Sequence, residues 1–363
     1  MNTLSRAGHL ATAAAHFPFL GALSCDDLLD LVRAELGHAE ILDDFQPHGA
    51  HFARAHAADT ILHIVSGNTP AAGLQSLIRG LLLGSHNLCK IPSEGLAEIE
   101  SFRAALPAAL AERVEISRTL PPDWLTRADA IIVFGKDETA AHFRGLAMLG
   151  KIFIAHGHRV SAGFVFDDAD FASAAGAARD VSVFDQQGCL SPHAIYVCGD
   201  AREYAARLAT EMERFNAREP RGSVSLSESL AIRVAREDFA FRAASGDAAL
   251  AHSEGSTDWT VVFDPAPGFP RSPLNRFVFV KPLPSDLASE LREVRAHLSC
   301  AGIWPALLEH ARTLAALGFS RICPLGAMQK PPATWHQDGV PCLASLVRWS
   351  DFEMTKGRKT SGR

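Results

Sequence analysis

The chain has 363 residues, 47% hydrophobic and 21% charged, the proportions of a globular protein rather than a fibrous repeat or a disordered chain. Its 35 Lys and Arg against 41 Asp and Glu leave a net charge of −6, without the cation surplus that nucleic-acid phosphates require. No run of about 18 apolar residues offers a membrane-spanning helix.

From Arg6 a mostly apolar run leads to Leu23-Ser24-Cys25, faintly like an exported lipoprotein leader. His9, His16 and Pro18 interrupt it, so the expectation is an N-terminal helix. Residues 61–65 read as a buried strand. Leu74, Leu77, Ile78, Leu81 and Leu82 recur at three and four and mark one helix face. A strand follows at 87–91, and Pro92-Ser93-Glu94 is expected to open a helix to about 114, divided at Pro107. Next come a strand at 130–134, a turn at Gly135 and a helix at 137–149. Strands at 151–155 and 163–166 and a helix at 168–178 complete the series. This alternation predicts βαβ units and a mainly parallel sheet, hence an α/β fold.

Beyond residue 180 the pattern resets: a strand at 193–198, a helix capped by Asp200 to about 216, and a helix at 225–244. A proline-rich loop at 264–275 precedes a strand at 276–281. Residues 285–298 and 303–317 read as helical, 321–324 as a short strand and 326–338 as irregular. The expected division is a first domain over 1–183, a second over 184–330, and a segment 331–363 that could return to the first.

Four local features could carry chemistry. Ser66-Gly67-Asn68-Thr69-Pro70 joins a strand to a helix, where Asn68 could aim an amide at a ligand or simply bond its own turn. Lys90-Ile91-Pro92-Ser93 ends a strand, where parallel sheets face their ligand crevice; the ordinary alternative is a solvated lysine. Gly135-Lys136-Asp137 opens a helix whose N–H groups could face a pyrophosphate, although neither G-x-G-x-x-G nor a P-loop is present. Asp185-Gln186-Gln187-Gly188-Cys189-Leu190-Ser191-Pro192 sets a cysteine in a polar turn before a strand, where backbone N–H groups can stabilise a thiolate. The other cysteines, Cys25, Cys89, Cys198, Cys300, Cys323 and Cys342, lie in apolar or strand contexts and read as core residues. Seven scattered cysteines without a C-x-x-C pair suggest free thiols and a cytoplasmic, reducing location. His156-Gly157-His158 and His336-x-Asp338 could supply metal ligands, but neither spacing is diagnostic, and no metal is expected.

Taken together and in order, these segments resemble the aldehyde dehydrogenase superfamily, and within it the acyl-CoA reductases of the LuxC type. The likeness runs from about 60 to 350 and includes Ser320-Arg321-Ile322-Cys323-Pro324-Leu325-Gly326 and His336-Gln337-Asp338-Gly339. The resemblance implies an aldehyde dehydrogenase-like fold, with a Rossmann-like cofactor domain and an α/β catalytic domain. It implies Cys189 as the nucleophile that takes the acyl group, with Asn68 donating to the thioester oxygen. Lys90 and Ser93 would meet the adenosine ribose of the nicotinamide cofactor, and Gly135 and Lys136 would lie near its pyrophosphate. Aldehyde-oxidising members carry a glutamate in a strand-end motif. The matching stretch here, Ile154-Ala155-His156-Gly157-His158-Arg159, has no carboxylate, which favours reduction of an acyl thioester over aldehyde oxidation. Ser93 stands where NAD-using relatives place a glutamate, which favours NADPH over NADH.

The reading is an NAD(P)H-dependent reductase of an acyl-CoA or other acyl thioester, with no nucleic-acid partner. The acyl chain, the donor, oligomerisation and any acyl-delivering partner protein remain open. The alternatives are a cysteine thioesterase or acyltransferase using His193 or His156, an acyl-phosphate reductase, and a non-catalytic binding subunit.

Overall fold

The computed structural model describes residues 1–65, 70–169 and 171–354. The chain divides into two compact units, Met1–Gly157 with the chain from Pro332 onward, and His158–Pro331.

The first unit opens with helices α1 (Thr3–Ala14) and α2 (Cys25–Leu36). Ser24 and Asp27 form a capping box at the start of α2. Strands β1 (Gln46–His48) and β2 (His51–Ala57) make an antiparallel hairpin. The expected alternation follows: β3 (Thr60–Val65), α3 (Pro70–Leu83), β4 (His86–Lys90), α4 (Ala97–Ala105), α5 (Ala108–Ala111) and β5 (Val114–Ser117). It continues with α6 (Trp124–Arg127), β6 (Ala130–Phe134), α7 (Asp137–Leu146) and β7 (Ile152–His156). The five strands β3–β7 form a parallel sheet in the order β5-β4-β3-β6-β7. The order reverses between β3 and β6, the switch point at which open α/β sheets receive ligands.

Strand β3 shows why the sheet is covered on both sides. Ile61 and Val65 pack in one cluster with Leu74, Leu77 and Leu81 of α3, while Leu62 and Ile64 pack with Ile131, Trp124 and Phe143. Such a strand reads as a continuous apolar run. His63 is its buried polar residue. Asn87 Nδ2 donates to the Ser85 carbonyl, so Asn87 Oδ1 accepts from His63 Nε2 at 2.9 Å. His63 Nδ1 is then left to accept from Ser76 Oγ at 2.8 Å. A Cβ at Gly80 would collide with Asn87 Oδ1, so glycine is required where α3 crosses β4.

The helix expected from Ser93 begins only at Ala97, because Gly95 and Leu96 adopt left-handed backbone with φ of 79° and 56°. Pro107 divides the stretch, and its end is the strand β5 rather than helix.

The second unit contains β8 (Val160–Val165), α8 (Ala174–Ser182), β9 (Pro192–Val197), α9 (Ala201–Arg218), α10 (Leu226–Ala244) and β10 (Ala249–His252). Then come β11 (Thr260–Phe263), β12 (Phe277–Pro282), α11 (Leu287–Glu290), β13 (Leu298–Trp304), α12 (Leu308–Leu317) and β14 (Arg321–Pro324). Its sheet runs β10-β11-β12-β9-β8-β13-β14, parallel except at β10. Ala162, Phe164, Tyr196, Phe279 and Ala301 share one core with Ile232 of α10 and Leu314 of α12. On the other face Gly302 pairs with Gly163. A Cβ on Gly302 would meet Met328 Sδ at 2.6 Å, so residues 325–328 lie directly on the sheet. Asp180 of α8 holds that stretch by accepting the Gly326 and Met328 N–H groups at 2.5 and 3.0 Å.

Two expectations change here. The units divide after Gly157 rather than near 183, because β8 pairs with β9 and β13 of the second sheet. Residues 298–304, expected to straddle two helices, form the buried strand β13.

The chain from Pro332 adds to the first unit. Strand β15 (Val347–Phe352) pairs antiparallel with β2. The Glu35 carboxylate of α2 accepts the N–H groups of Cys342, Leu343 and Ala344 at 2.8, 2.6 and 3.0 Å. Among the described residues no helix is long and apolar enough to cross a membrane.

Candidate active site

Cys189 is exposed in the turn before β9. The preceding residues Phe184, Asp185 and Gln186 are all left-handed, with φ of 55°, 52° and 63°. A second left-handed triplet, Leu274-Asn275-Arg276 with φ of 63°, 58° and 65°, precedes β12. Non-glycine residues in this region each cost of order 1 kcal/mol or more and persist where surroundings enforce them. Here the two triplets enforce each other. Asp185 pairs with Arg276 at 2.8 Å, and Gln187 Nε2 donates to Asn275 Oδ1 at 2.9 Å. The buried Gln186 amide donates to the Pro192 and Phe277 carbonyls, each at 2.9 Å, and accepts the Phe277 N–H at 2.8 Å. Arg276 Nη1 is tied to Asn216 Oδ1 and the Glu219 carbonyl, both at 2.9 Å.

The far side of the turn is also fixed. Ser161 Oγ of β8 donates to the Cys189 carbonyl at 2.7 Å and accepts the Cys300 N–H at 3.1 Å. Gln329 Nε2 donates to Ser191 Oγ at 3.1 Å and to the Asp180 carbonyl at 3.0 Å. The sequence singled out Cys189 but not Gln186, Arg276, Ser161 or Gln329. Only the glutamine pair before Gly188 carried a local signal. His193 lies four residues on, its ring 6.0 Å from that of Phe269. Burial, with a smaller push from His158, lowers its imidazole to about 4. Cys198, expected in the core, is exposed just past the end of β9.

In the first unit, Lys90 ends β4 and is half-buried, paired with Ile64 and Ser117 of its neighbours. Ser93 is exposed, in a loop held by Arg118, whose Nη1 donates to the Pro92 carbonyl at 2.9 Å and the Ser93 carbonyl at 3.1 Å. Lys90, Ser93 and Arg118 thus gather at the carboxyl ends of β4 and β5. Gly135 follows β6 and donates its N–H to the His156 carbonyl at 3.1 Å. Lys136 is the exposed N-cap of α7, followed by Asp137 and Glu138. Asn68 lies outside the described residues.

His156 ends β7. Its ring stacks on Phe134 at 4.6 Å, and its Nδ1 bonds Asp338 Oδ2 at 2.7 Å. Their side chains are 12% and 3% exposed. The residue beside Asp338, Gln337, accepts from Arg79 at 2.8 Å. Ser76, Arg79, Phe134, His156 and Cys342 line a small pocket here. Asp338 itself is left-handed, with φ of 54°. Two separate fragments considered as metal ligands therefore meet through a hydrogen bond. Among the described residues, no group of three or more His, Cys, Asp or Glu is arranged to hold a metal.

A sequence profile described as Acyl-CoA reductase (LuxC) matches residues 8–349. The chain belongs to the LuxC acyl-CoA reductase family. As a LuxC-family acyl reductase it is 25% identical over 348 residues to the long-chain acyl-protein thioester reductase of Aliivibrio fischeri, covering 90% of this chain and 70% of that protein. The Vibrio harveyi protein of the same name is 24% identical over 343 residues, covering 90% and 71%. Among solved structures, aldehyde dehydrogenase 21 from Physcomitrella patens superposes with a TM-score of 0.69 at 13% identity, covering 99% of this chain and 87% of that one. Succinic semialdehyde dehydrogenase from Streptococcus pyogenes, solved with NADP+, gives a TM-score of 0.66 at 13% identity, covering 97% and 90%. The LuxC-family chain has an aldehyde dehydrogenase-like fold.

Proposed function

We propose that this acyl reductase converts a long-chain acyl thioester to its aldehyde with a nicotinamide cofactor, through a thioester formed on Cys189. The observation that carries the reading is Cys189 itself, exposed on a turn whose unfavourable backbone is fastened from both sides. A cysteine suits both halves of such a reaction, being a strong nucleophile and a workable leaving group.

The Cys189 thiolate attacks the acyl carbonyl, and the incoming thiol departs. Negative charge develops on the carbonyl oxygen, where the Asn68 amide and the Cys189 N–H would donate. Each such donor is worth roughly 3 kcal/mol in comparable acyl-transfer sites. A nicotinamide bound here would supply the hydride that reduces the acyl carbon, and Cys189 would leave as the thiolate when the aldehyde forms. On the resemblance, His156 would stand where an oxidising relative needs a carboxylate. Asp338 accepts its Nδ1–H, which places the basic lone pair on Nε2, the atom that would hold or give a proton.

The residues at the ends of β4 and β5 suit a cofactor bearing a 2′-phosphate. Lys90 is a cation, Ser93 is a donor, and no carboxylate occupies position 93, while Arg118, paired with Glu100 at 3.2 Å, fastens the loop that carries Ser93. The start of α7 is less suited to a pyrophosphate. Lys136 brings a cation, but Asp137 and Glu138 oppose an anion, and the Gly135 N–H is already bonded. This supports NADPH, with NADH as the competing cofactor. The family description puts the acyl group on coenzyme A, whereas the relatives' name puts it on a protein, so both donors belong in the test.

Intact-mass measurement after mixing with long-chain acyl-CoA, or with an acylated carrier protein, should reveal one acyl adduct that maps to Cys189. Adding NADPH should release it as aldehyde. Cys189→Ala should form no adduct and still bind NADPH. Thiol release without NADPH oxidation would instead identify a thioesterase. Failure both to form an adduct and to bind NADPH or NADH would identify a non-catalytic subunit.

A further inference from the structure

The second unit contains a thiol pair that the proposed reaction does not use. Cys300 of β13 and Cys323 of β14 lie with their Sγ atoms 3.8 Å apart. Cys300 is buried, while Cys323 is partly exposed. Arg321, two residues before Cys323, places Nη1 3.2 Å from Cys300 Sγ and is itself fixed to the Met328 and Ala327 carbonyls. The two sulfurs are therefore unequal. The hydrogen bond from Cys300 and the nearby Arg321 guanidinium favour the Cys323 thiolate, while burial keeps Cys300 protonated.

The strand pairing around Cys300 is irregular: the β13–β8 register shifts between Leu298 and Ala301. Its N–H is taken by Ser161 Oγ, the same hydroxyl that donates to the Cys189 carbonyl. A continuous chain of two hydrogen bonds thus joins Cys300 to the nucleophile turn.

We propose that Cys300 and Cys323 form a reversible disulfide that lowers the reactivity of Cys189 through Ser161. The inference rests on the reading of Cys189 as acyl acceptor. The oxidant is a hydroperoxide. The Cys323 thiolate attacks the peroxide, an S–O bond forms as the O–O bond breaks, and the departing alkoxide or hydroxide takes a proton from solvent to leave as alcohol or water. Cys300 sulfur then attacks the sulfenic sulfur. The S–S bond forms, the S–O bond breaks, and the departing hydroxide takes the Cys300 proton as water. Two electrons pass from the thiols to the peroxide, and a dithiol such as dithiothreitol returns them. Closing the sulfurs from 3.8 Å to the roughly 2.05 Å of a disulfide draws Cys300 toward β14 and its N–H from Ser161. Ser161 then loses the donor that orients it toward the Cys189 turn.

The test has two arms. In the first, Cys189→Ala protein is titrated with hydroperoxide and its peptides are mapped by mass spectrometry. A Cys300–Cys323 linked peptide, two hydrogens lighter and restored by dithiothreitol, is expected; its absence overturns the proposal. In the second arm the otherwise native protein is first acylated with long-chain acyl-CoA without cofactor, which shields Cys189. It is then oxidised, desalted and assayed with NADPH and fresh acyl-CoA. Turnover should fall at least tenfold and recover with dithiothreitol, while Cys323→Ser treated identically should keep its turnover. Equal losses in both proteins, or a linked peptide with turnover unchanged, overturn the coupling to Cys189. If no acyl adduct forms before oxidation, the reading of Cys189 has failed instead, and the first arm still decides whether the disulfide forms.

Discussion

His156 and Asp338 are 182 residues apart in sequence and bond at 2.7 Å, with the imidazole also stacked on Phe134. We propose that the pair stands, at the end of β7, in place of the carboxylate that an aldehyde-oxidising enzyme needs. If Nε2 carries the proton of the reductive step, His156→Phe should keep the stack and lose the chemistry. We expect turnover to fall about 100-fold or more, the usual worth of a placed acid or base. Asp338→Asn, which removes the charge that orients the ring, should cost about tenfold. The measurement is NADPH oxidation with a long-chain acyl-CoA, alongside the size of the acyl adduct on Cys189. Full adduct with slow NADPH oxidation confirms a role after acylation, and unchanged turnover reduces the pair to packing.

The turn that presents Cys189 depends on a side chain acting as a piece of backbone. The Gln186 amide supplies to Pro192 and Phe277 the bonds a neighbouring strand would make. Gln186→Leu keeps the bulk and strands two buried backbone groups, the Phe277 N–H and the Pro192 carbonyl, while the Phe277 carbonyl keeps Ser272 Oγ at 2.6 Å. Each unsatisfied group costs about 1–3 kcal/mol, partly relieved by relaxation, so a loss of roughly 3 kcal/mol is expected in urea unfolding. Iodoacetamide labelling of Cys189 under native conditions should also change rate, because the left-handed triplet is no longer held. A variant with native stability and labelling would refute the fastening role.

What the sequence disclosed follows from what is local. The strands at β3, β4, β6 and β9 were legible because short apolar runs sat between helix-period segments, and the Asp200 cap marked the start of α9. The strand β13 was missed, its middle residues 299–302 falling between two expected helices, because a strand buried on both faces shows no alternation. The pairing of β15 with β2 joins chain ends that share no local signal. At the candidate site Cys189 was visible from its polar turn. Its supports were not, because left-handed backbone at Phe184, Asp185, Asn275 and Arg276 breaks the usual glycine rule and is set by contacts across 88 to 91 residues. Arg118 was missed for the same reason, since it reaches the Pro92 loop from 26 residues away.

Cofactor choice should be readable at one position. The exposed Ser93 sits in the loop that Arg118 fastens, with Lys90 at the strand end. Ser93→Glu would bring a carboxylate toward a 2′-phosphate and offer a partner to free ribose hydroxyls. We expect NADPH affinity to fall at least tenfold and the NADH to NADPH preference to rise, measured by fluorescence titration of both cofactors. Cys189 labelling should be unaffected, since the substitution lies in the other unit. Equal effects on both cofactors would place the ribose elsewhere.

Acid should act unequally on the two units. Burial lowers His63 of the first unit to about 4, so the folded protein keeps it neutral while the unfolded chain takes a proton below about 6.5. The shift is worth about 3 kcal/mol, fully present above pH 6.5 and lost as pH falls toward 4. His193 of the second unit behaves the same way, being lowered by burial to about 4. There Asp180 opposes it. Burial raises its carboxyl to about 6, so its folded form gains protons first and stability returns as pH falls from about 6 to 3.8. That gain, also about 3 kcal/mol, opposes the loss at His193, whereas no raised carboxyl opposes the loss at His63. Hydrogen exchange between pH 7 and pH 4.5 should therefore show protection lost earlier in β3, α3 and β4 than in β8 and β9. Asp180→Asn should remove the compensation and bring the second unit's loss up to that of the first. Equal loss in both units of the unsubstituted protein would show that other groups dominate its acid response.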